Sequence, residues 1–268
     1  MNLQTETFSF RFLTPCFSGT AEGKDAPTSE LRVPPIRGHI RFWHRAAYGA
    51  DSANLVWGST SGNEGQASRV AVRVKIGHPP SHQTAQLLPH KTHGQGSRPA
   101  LPQDGRATIE FQRLPACTSD DWAKAVTAAK LWLLAGTLGY RSSRAAGSVW
   151  PDEKWTPQSK DDLASLLATL ISKPNQPWGA ALAGESAGKS WSDLRATASD
   201  TPKGAPHLFG NAIQRKPSPL RFKVVELDSG VCLLAVAPSK ELIADAETAL
   251  KSKPDPHRWN ELGKWTPL

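Results

Sequence analysis

The sequence predicts an α+β fold, and three observations carry that prediction. Apolar and polar residues alternate in short stretches around Phe8–Phe12, Val70–Ile76 and Ala107–Phe111, the period of strands with one packed and one wet face. Two longer stretches place apolar residues at helical spacing: Ile36, Ile40, Trp43 and Ala47, then Trp122, Val126, Ala129 and Leu133. Their order to Trp150 is strand, helix, strand, strand, helix, then a basic glycine-containing loop running into a further strand, which is a β-α-β-β-α-β pattern.

The first strand is fixed by Phe8, Phe10 and Phe12 alternating with Thr7, Ser9 and Arg11. Residues 14–28 are small and polar and are broken by Pro15, Gly19, Gly23 and Pro27, so they read as a loop. Pro34 and Pro35 then rigidify a helix start, with the helix running from about Ile36. At about 100° per residue, its apolar stripe lies opposite Arg37, Arg41, His44, Arg45 and Tyr48. Like charges three or four residues apart repel, so the ridge of Arg37, Arg41 and Arg45 is costly unless an anion covers it. Gly49, Gly58, Gly62 and Gly65 with Trp57 between them read as a flexible connection to the strand at 69–76.

Residues 77–103 carry prolines, glycines and His78, His82, His90 and His93 with little apolar periodicity, and read as a long loop. Arg106–Arg113 returns as a strand. Thr118 and Asp121 fit a capping box for the next helix, which Gly136 and Gly139 end. A helix at 159–171 follows from Leu163, Leu166, Leu167 and Leu170. Residues 173–206 read as an irregular insertion around a short helix near Trp191. Strands at 220–227 and 231–237, joined through Gly230, and a helix from Ser239 to about Lys251 close the chain. The β-α-β-β-α-β order is that of a ferredoxin-like or RRM-like unit, whose helix-free sheet face can meet single-stranded RNA.

The 268 residues are enough to bury a sizeable core in one large or two small domains. With 32 Lys and Arg against 24 Asp and Glu, the net charge of +8 favours anionic partners. Cys16, Cys117 and Cys232 are few and far apart, which suits neither a disulfide framework nor a zinc knuckle. The start lacks a basic-then-apolar leader and no apolar run is long enough to span a bilayer, so the expectation is a soluble cytoplasmic protein with no membrane partner.

Ten tryptophans against two tyrosines can serve core packing, base stacking or subunit interfaces. Trp43 is in phase with Ile36 and Ile40 and is read as core. Trp57 and Trp150, beside glycine-rich or basic loops, are the stacking candidates. A histidine could serve as general acid or base in RNA cleavage. His39 and His44 are the candidates, His39 toward the apolar side and His44 toward the basic side, and they point too far apart to act on one proton. The loop histidines come without cysteines on a non-helical segment and suggest no metal site. No G-x-S-x-G elbow, phosphate-binding G-x-x-x-x-G-K or catalytic carboxylate pair occurs. Asp120 and Asp121 read as charges favoured at a helix start. The expectation is therefore a protein with no catalytic residues, no cofactor and no metal.

Five segments give a more specific signal: T-P-C-F-S-G-T at 14–20, E-L-R-V-P-P-I-R-G-H-I-R-F-W-H-R-A at 30–46, W-G-S-T at 57–60, G-T-L-G-Y-R-S-S-R-A-A-G-S at 136–148, and R-K-P-S-P-L at 215–220. Together, and in this order, they resemble the RAMP superfamily of CRISPR effector proteins, and within it the first-numbered subunit of type III-B Cmr complexes. The resemblance implies tandem ferredoxin-like folds, here 1–150 and 151–268, the second either complete or reduced. It implies a non-catalytic subunit of an RNA-guided, RNA-targeting complex, with guide RNA, single-stranded target RNA and other RAMP subunits as partners, contacting RNA near the 3′ part of the guide. The family's basic helix corresponds to Arg37, Arg41, His44 and Arg45. Its glycine-rich loop corresponds to Tyr140 through Gly147, with Arg141 and Arg144 as phosphate contacts. In this chain Arg144 is followed by Ala145 and Ala146 rather than directly by glycine. The alternatives are a histidine-dependent guide-processing endoribonuclease and a purely structural assembly subunit.

Overall fold

The computed structural model describes residues 4–19, 28–60, 65–76, 83–91, 96–185, 188–202, 204–211 and 213–268. The first sheet contains β1 (Thr5–Phe12), β2 (Val70–Ile76), β5 (Arg106–Arg113) and β6 (Val149–Pro151) in the order β2-β5-β1-β6, with all neighbours antiparallel. The helices α1 (Val33–Tyr48) and α3 (Ser119–Ala135) cover one face of it. Phe8, Phe10, Ile109 and Phe111 point into that layer and are almost wholly excluded from solvent, as are Ile36, Ile40 and Trp43 from α1. Burial of this apolar surface is what selects the register, because a slip of one residue would turn every phenylalanine of β1 to water.

The local signals at the helix starts hold. The Thr118 hydroxyl accepts from the Asp121 N–H while the Asp121 carboxylate accepts from the Thr118 N–H, closing the box on α3. Ser159 with Asp162 does the same for α4 (Lys160–Ile171), and Ser190 with Asp193 for α5 (Trp191–Ser199). Each box satisfies orphan donors of the first turn.

Three readings need correction. The connection after α1 is not a flexible linker, since Ala50–Trp57 forms the helix α2, bounded by Gly49 and Gly58 at positive φ. A side chain at Gly58 would meet the Gln66 carbonyl at 2.6 Å, so the glycine there permits a close crossing of two backbones. The stretch 77–103 contains a hairpin of β3 (Gln83–Gln86) and β4 (Ser97–Ala100). The stretch 173–206 contains the wholly buried strand β7 (Gly179–Ala183) as well as α5.

With β7 in place, a second sheet is assembled from β8 (Arg221–Leu227), β9 (Gly230–Ala237) and the two-residue β10 (Thr266–Pro267), in the order β10-β7-β9-β8. The short helix α6 (Pro206–Phe209) follows α5; α7 (Lys240–Lys251) and the short α8 (His257–Asn260) precede β10. In chain order the strands of both sheets run fourth, first, third, second, and the second sheet repeats the β-α-β-β-α-β path through β7, α5, β8, β9, α7 and β10.

The two sheets meet through the loop 139–148. The Ala145 N–H donates to the Phe222 carbonyl, the Phe222 N–H to the Ser143 carbonyl, and the Val224 N–H to the Ser148 hydroxyl. Arg11 of β1 also pairs with Glu226 of β8. Among the described residues no helix is long and apolar enough to cross a membrane.

Candidate nucleic-acid interface

Helix α1 presents the ridge that the sequence suggests. Arg45 is exposed and Arg37 and Arg41 are half-buried, and among the described residues none of the three meets a carboxylate. Arg37 donates to the Trp57 carbonyl and Arg41 to the Asn54 side-chain oxygen at 2.6 Å. These neutral acceptors orient both guanidiniums without supplying a countercharge. Beside α1 and the end of α2 lies a cavity of about 380 Å³, whose lining includes Pro34, Arg37, Arg41, Ser59, Thr60 and Gln66 and, among the described residues, no acidic one.

The helix-free face of the first sheet is different. There Arg73 and Lys75 share Glu110 at 3.5 and 2.9 Å, Arg106 meets Asp152 at 2.8 Å, and Arg11 meets Asp104 at 3.5 Å as well as Glu226. A phosphate arriving on that face would have to displace carboxylates, whereas on α1 it would displace only water and neutral groups.

His44, Trp57, Trp150, Gly147 and Arg144 are not on an RNA-facing surface. His44 is fully buried: its Nδ1 accepts from Trp57 Nε1 at 3.0 Å and its Nε2 lies 2.9 Å from the Ser52 hydroxyl. The helix α2 folds over the flank of α1 that carries His44, which a helical projection of α1 alone does not show. Burial, with Lys124 nearby, lowers its pKa to about 4. The same closure buries Trp57, whose ring packs edge-on against Phe111 at 5.7 Å. Trp150 is buried beneath the Lys223 ammonium, which lies 5.3 Å from the ring centroid.

Gly147, at φ 61°, is a point of close approach. A side chain there would sit 2.0 Å from the Leu138 carbonyl oxygen, and its own N–H and C=O are taken by Pro15 and Leu138. Arg144 turns inward and donates to the Phe209 carbonyl at 2.6 Å and the Ser218 hydroxyl at 3.3 Å, tying the loop to the second sheet's flank. Of the loop residues named from the sequence, Tyr140 is about half exposed (54%) and Arg141 is half-buried, its side chain making no hydrogen bond or ion pair among the described residues.

His39 is the more accessible of the two helix histidines. Burial and the neighbouring Arg221 lower its pKa to about 4, so it is neutral near pH 7. His78, His82 and His93 lie outside the described residues, and among those described no group of three or more His, Cys, Asp or Glu is placed to hold a metal ion.

The 14–20 motif is explained by the loop it braces. The Thr14 hydroxyl donates to the Ala145 carbonyl at 2.7 Å and accepts from the Ser148 N–H at 2.9 Å, while the Tyr140 N–H donates to the Phe17 carbonyl. The family model of the RAMP superfamily matches residues 9–150, the span that holds this loop, its brace and the basic helix. The chain belongs to the RAMP superfamily.

Solved structures similar to this RAMP protein include Cmr1 from Pyrococcus furiosus in its apo form, 19% identical, with a TM-score of 0.63 and 87% of each chain covered. A chain of the type III-B Cmr-beta complex bound to cognate target RNA is 11% identical, with a TM-score of 0.54, covering 89% of this chain and 94% of that one. A further Cmr-beta structure, with target RNA, AMPPnP and single-stranded DNA, gives the same identity and TM-score. At these identities what is shared is the fold. No curated protein matches the sequence.

Proposed function

We propose that this RAMP protein is a non-catalytic RNA-binding subunit of a type III CRISPR effector complex, holding guide or target RNA by its backbone near the 3′ part of the guide. The observation that carries the reading is the α1 ridge, where neutral groups orient Arg37 and Arg41, Arg45 is exposed, and the described lining of the adjoining cavity holds no carboxylate. A single strand laid along it gains from phosphate contact and counterion release, while sequence is read by base pairing between guide and target. The similar Cmr structures support this placement in a complex with target RNA and neighbouring RAMP subunits. The division into ferredoxin-like units at 1–150 and 151–268, and residence in the cytoplasm with the RNA, belong to the same reading.

Cleavage through the two α1 histidines is disfavoured, since both ring nitrogens of His44 are engaged inside the fold and the charged group acting on His39 is the Arg221 guanidinium, which accepts no proton. The test is a salt series of binding to a single-stranded RNA of about 40 nucleotides, run with the wild type and with R37Q/R41Q/R45Q, each sample also resolved on a denaturing gel. At about 0.7 logarithmic units per neutralised phosphate, the variant is expected to lose roughly two units of slope and to leave the RNA intact. Equal slopes would move the assignment to an assembly subunit, and cut RNA would end the non-catalytic reading.

A further inference from the structure

A second cavity, of about 450 Å³, lies beside the C-terminal half of α1, where the segment before β7 and the start of β8 reach it. Phe42, Trp178, Pro217, Pro219 and Pro238 give it an apolar wall. Arg45 and Arg221 are its charged lining, and among the described residues no Asp or Glu contributes to it. Its size falls within the range of about 300–1,000 Å³ usual for binding pockets.

The wall is built in advance of any ligand. The rings of Phe42 and Trp43 meet edge to face at 5.2 Å, those of Phe42 and Trp178 at 6.2 Å, and Trp178 leans on Trp43 at 5.6 Å. The three prolines carry no N–H and their φ is fixed, so this side of the groove presents carbon rather than backbone donors and has little freedom to lose when it is covered. Trp178 is only 8% exposed, and the Arg221 guanidinium lies over the Phe42 ring at 4.1 Å from its centroid. The groove thus offers a nucleobase little ring surface to stack on, while its carbon wall suits a bulky apolar side chain.

The charged groups of the groove have no countercharge. Arg221 makes no hydrogen bond or ion pair among the described residues. Burial lowers its pKa below the ordinary arginine value, and no carboxylate opposes that shift. Arg45 is exposed and likewise unpaired among the described residues, and Lys173 brings a third cation to the same wall by donating to the Ala46 carbonyl at 2.9 Å. On the helix-free sheet face, by contrast, Arg73, Lys75 and Arg106 all have carboxylate partners. A guanidinium stacked on a ring keeps its N–H donors in a planar fork, which a carboxylate matches with two parallel bonds. An apolar socket with aromatic and arginine anchors is also the composition found at the centre of protein–protein interfaces.

We propose that this groove docks an acidic, apolar segment of a partner protein, a bulky apolar side chain seating against Phe42, Trp178 and the prolines while a neighbouring carboxylate is received by Arg221. Arg45, at the exposed rim, adds attraction for the same charge. Arg221 sets the specificity: an apolar segment without a carboxylate would cover its donors without pairing them and be rejected. The inference does not rest on RNA lying along the ridge, with which the groove shares only Arg45.

The experiment uses the full chain without RNA. Random peptides displayed on phage are selected on the immobilised protein and counter-selected on R221Q, and peptides with a bulky apolar residue beside Asp or Glu are expected to be enriched. The consensus peptide, and its form with the acid replaced by the amide, are then measured by fluorescence anisotropy against wild type, R221Q, A50W and the ridge variant R37Q/R41Q. Ala50 is exposed in the groove lining, so a tryptophan there fills the socket without entering the core. It also leaves the charge unchanged, so a general attraction of acidic peptides to a basic protein would not respond to it.

R221Q, A50W and the amide peptide are each expected to weaken binding by about tenfold or more, as loss of a charge-assisted hydrogen bond or of the socket implies, and R37Q/R41Q to bind as wild type does. Should R221Q lose stability with its stacking on Phe42, A50W and the amide peptide carry the same test on an intact groove. No enrichment, enrichment of peptides without an acidic residue, or binding undiminished in A50W overturns the proposal. Single-stranded RNA binding weakened by A50W with no peptide enriched would give the groove to nucleic acid instead. Because no RNA enters the selection, its failure leaves the reading of the ridge intact.

Discussion

Replacing His44 by phenylalanine separates a structural histidine from a surface one. Phenylalanine fills nearly the same space but cannot accept from Trp57 Nε1, which is buried with His44 Nδ1 as its acceptor at 3.0 Å. Leaving that indole N–H unpaired costs about 1–3 kcal/mol, while the half-buried Ser52 hydroxyl can turn to water. The variant should therefore be less stable than wild type by that amount at pH 7.5.

Acid reverses the comparison. With Nδ1 accepting from the indole, a proton added there would set two donors face to face, and burial, with Lys124, holds the folded pKa at about 4 against an ordinary 6.5. A lowered folded value in a base means that the unfolded chain binds the proton first. The stabilisation is complete above pH 6.5 and is lost as the pH falls from there toward 4. At about 1.36 kcal/mol per unit the full loss is of the order of 3 kcal/mol, with about 2 kcal/mol gone by pH 5.

The stability gap between wild type and H44F, measured by urea unfolding followed by circular dichroism, should accordingly close or change sign between pH 7.5 and pH 5. The other titrating groups are common to both proteins and cancel. A gap of constant size at the two pH values would refute the buried, hydrogen-bonded placement.

Gly147→Ala should be severely destabilising, by more than about 3 kcal/mol, because it combines a contact of 2.0 Å with the Leu138 carbonyl and a φ of 61°; soluble yield and melting temperature would show it. Arg144→Ala should lower stability by roughly 2–4 kcal/mol through loss of its bonds to Phe209 and Ser218, with RNA binding on the ridge unchanged in the surviving folded fraction. Lys223 is fully buried and donates to the Leu133 carbonyl, and burial depresses its pKa well below the usual lysine value. Since the unfolded lysine holds its proton longer, wild type should gain stability relative to Lys223→Met as the pH rises toward about 10.4, which parallel urea titrations at pH 7 and pH 9 would detect.

What could be read from the sequence was what neighbouring residues decide among themselves. The phenylalanines of β1, the stripe of α1 and the Thr118–Asp121 box each declare an element within a few residues, and each formed where its pattern lies. The strand β7 escaped because G-A-A-L-A has neither branched residues nor alternation: it is buried on both faces, and only its pairing with β9 makes it a strand. Helix α2 was hidden by the glycines that bound it.

The site shows the same division. That Arg37, Arg41 and Arg45 form one ridge follows from helical spacing. That His44 is covered depends on α2 folding back, and that Arg144 faces inward depends on a carbonyl 65 residues along the chain.

The central claim is that an RNA backbone runs along α1, and cross-linking tests it most directly. Single-stranded RNA carrying 4-thiouridine at successive positions would be irradiated with the full-length protein and the adducts located by mass spectrometry. The account predicts adducts in residues 33–48, 57–60 and 65–68, lost in R37Q/R41Q/R45Q. Adducts confined to the charge-paired face of β2 and β5, with yields unaffected by the three substitutions, would contradict it.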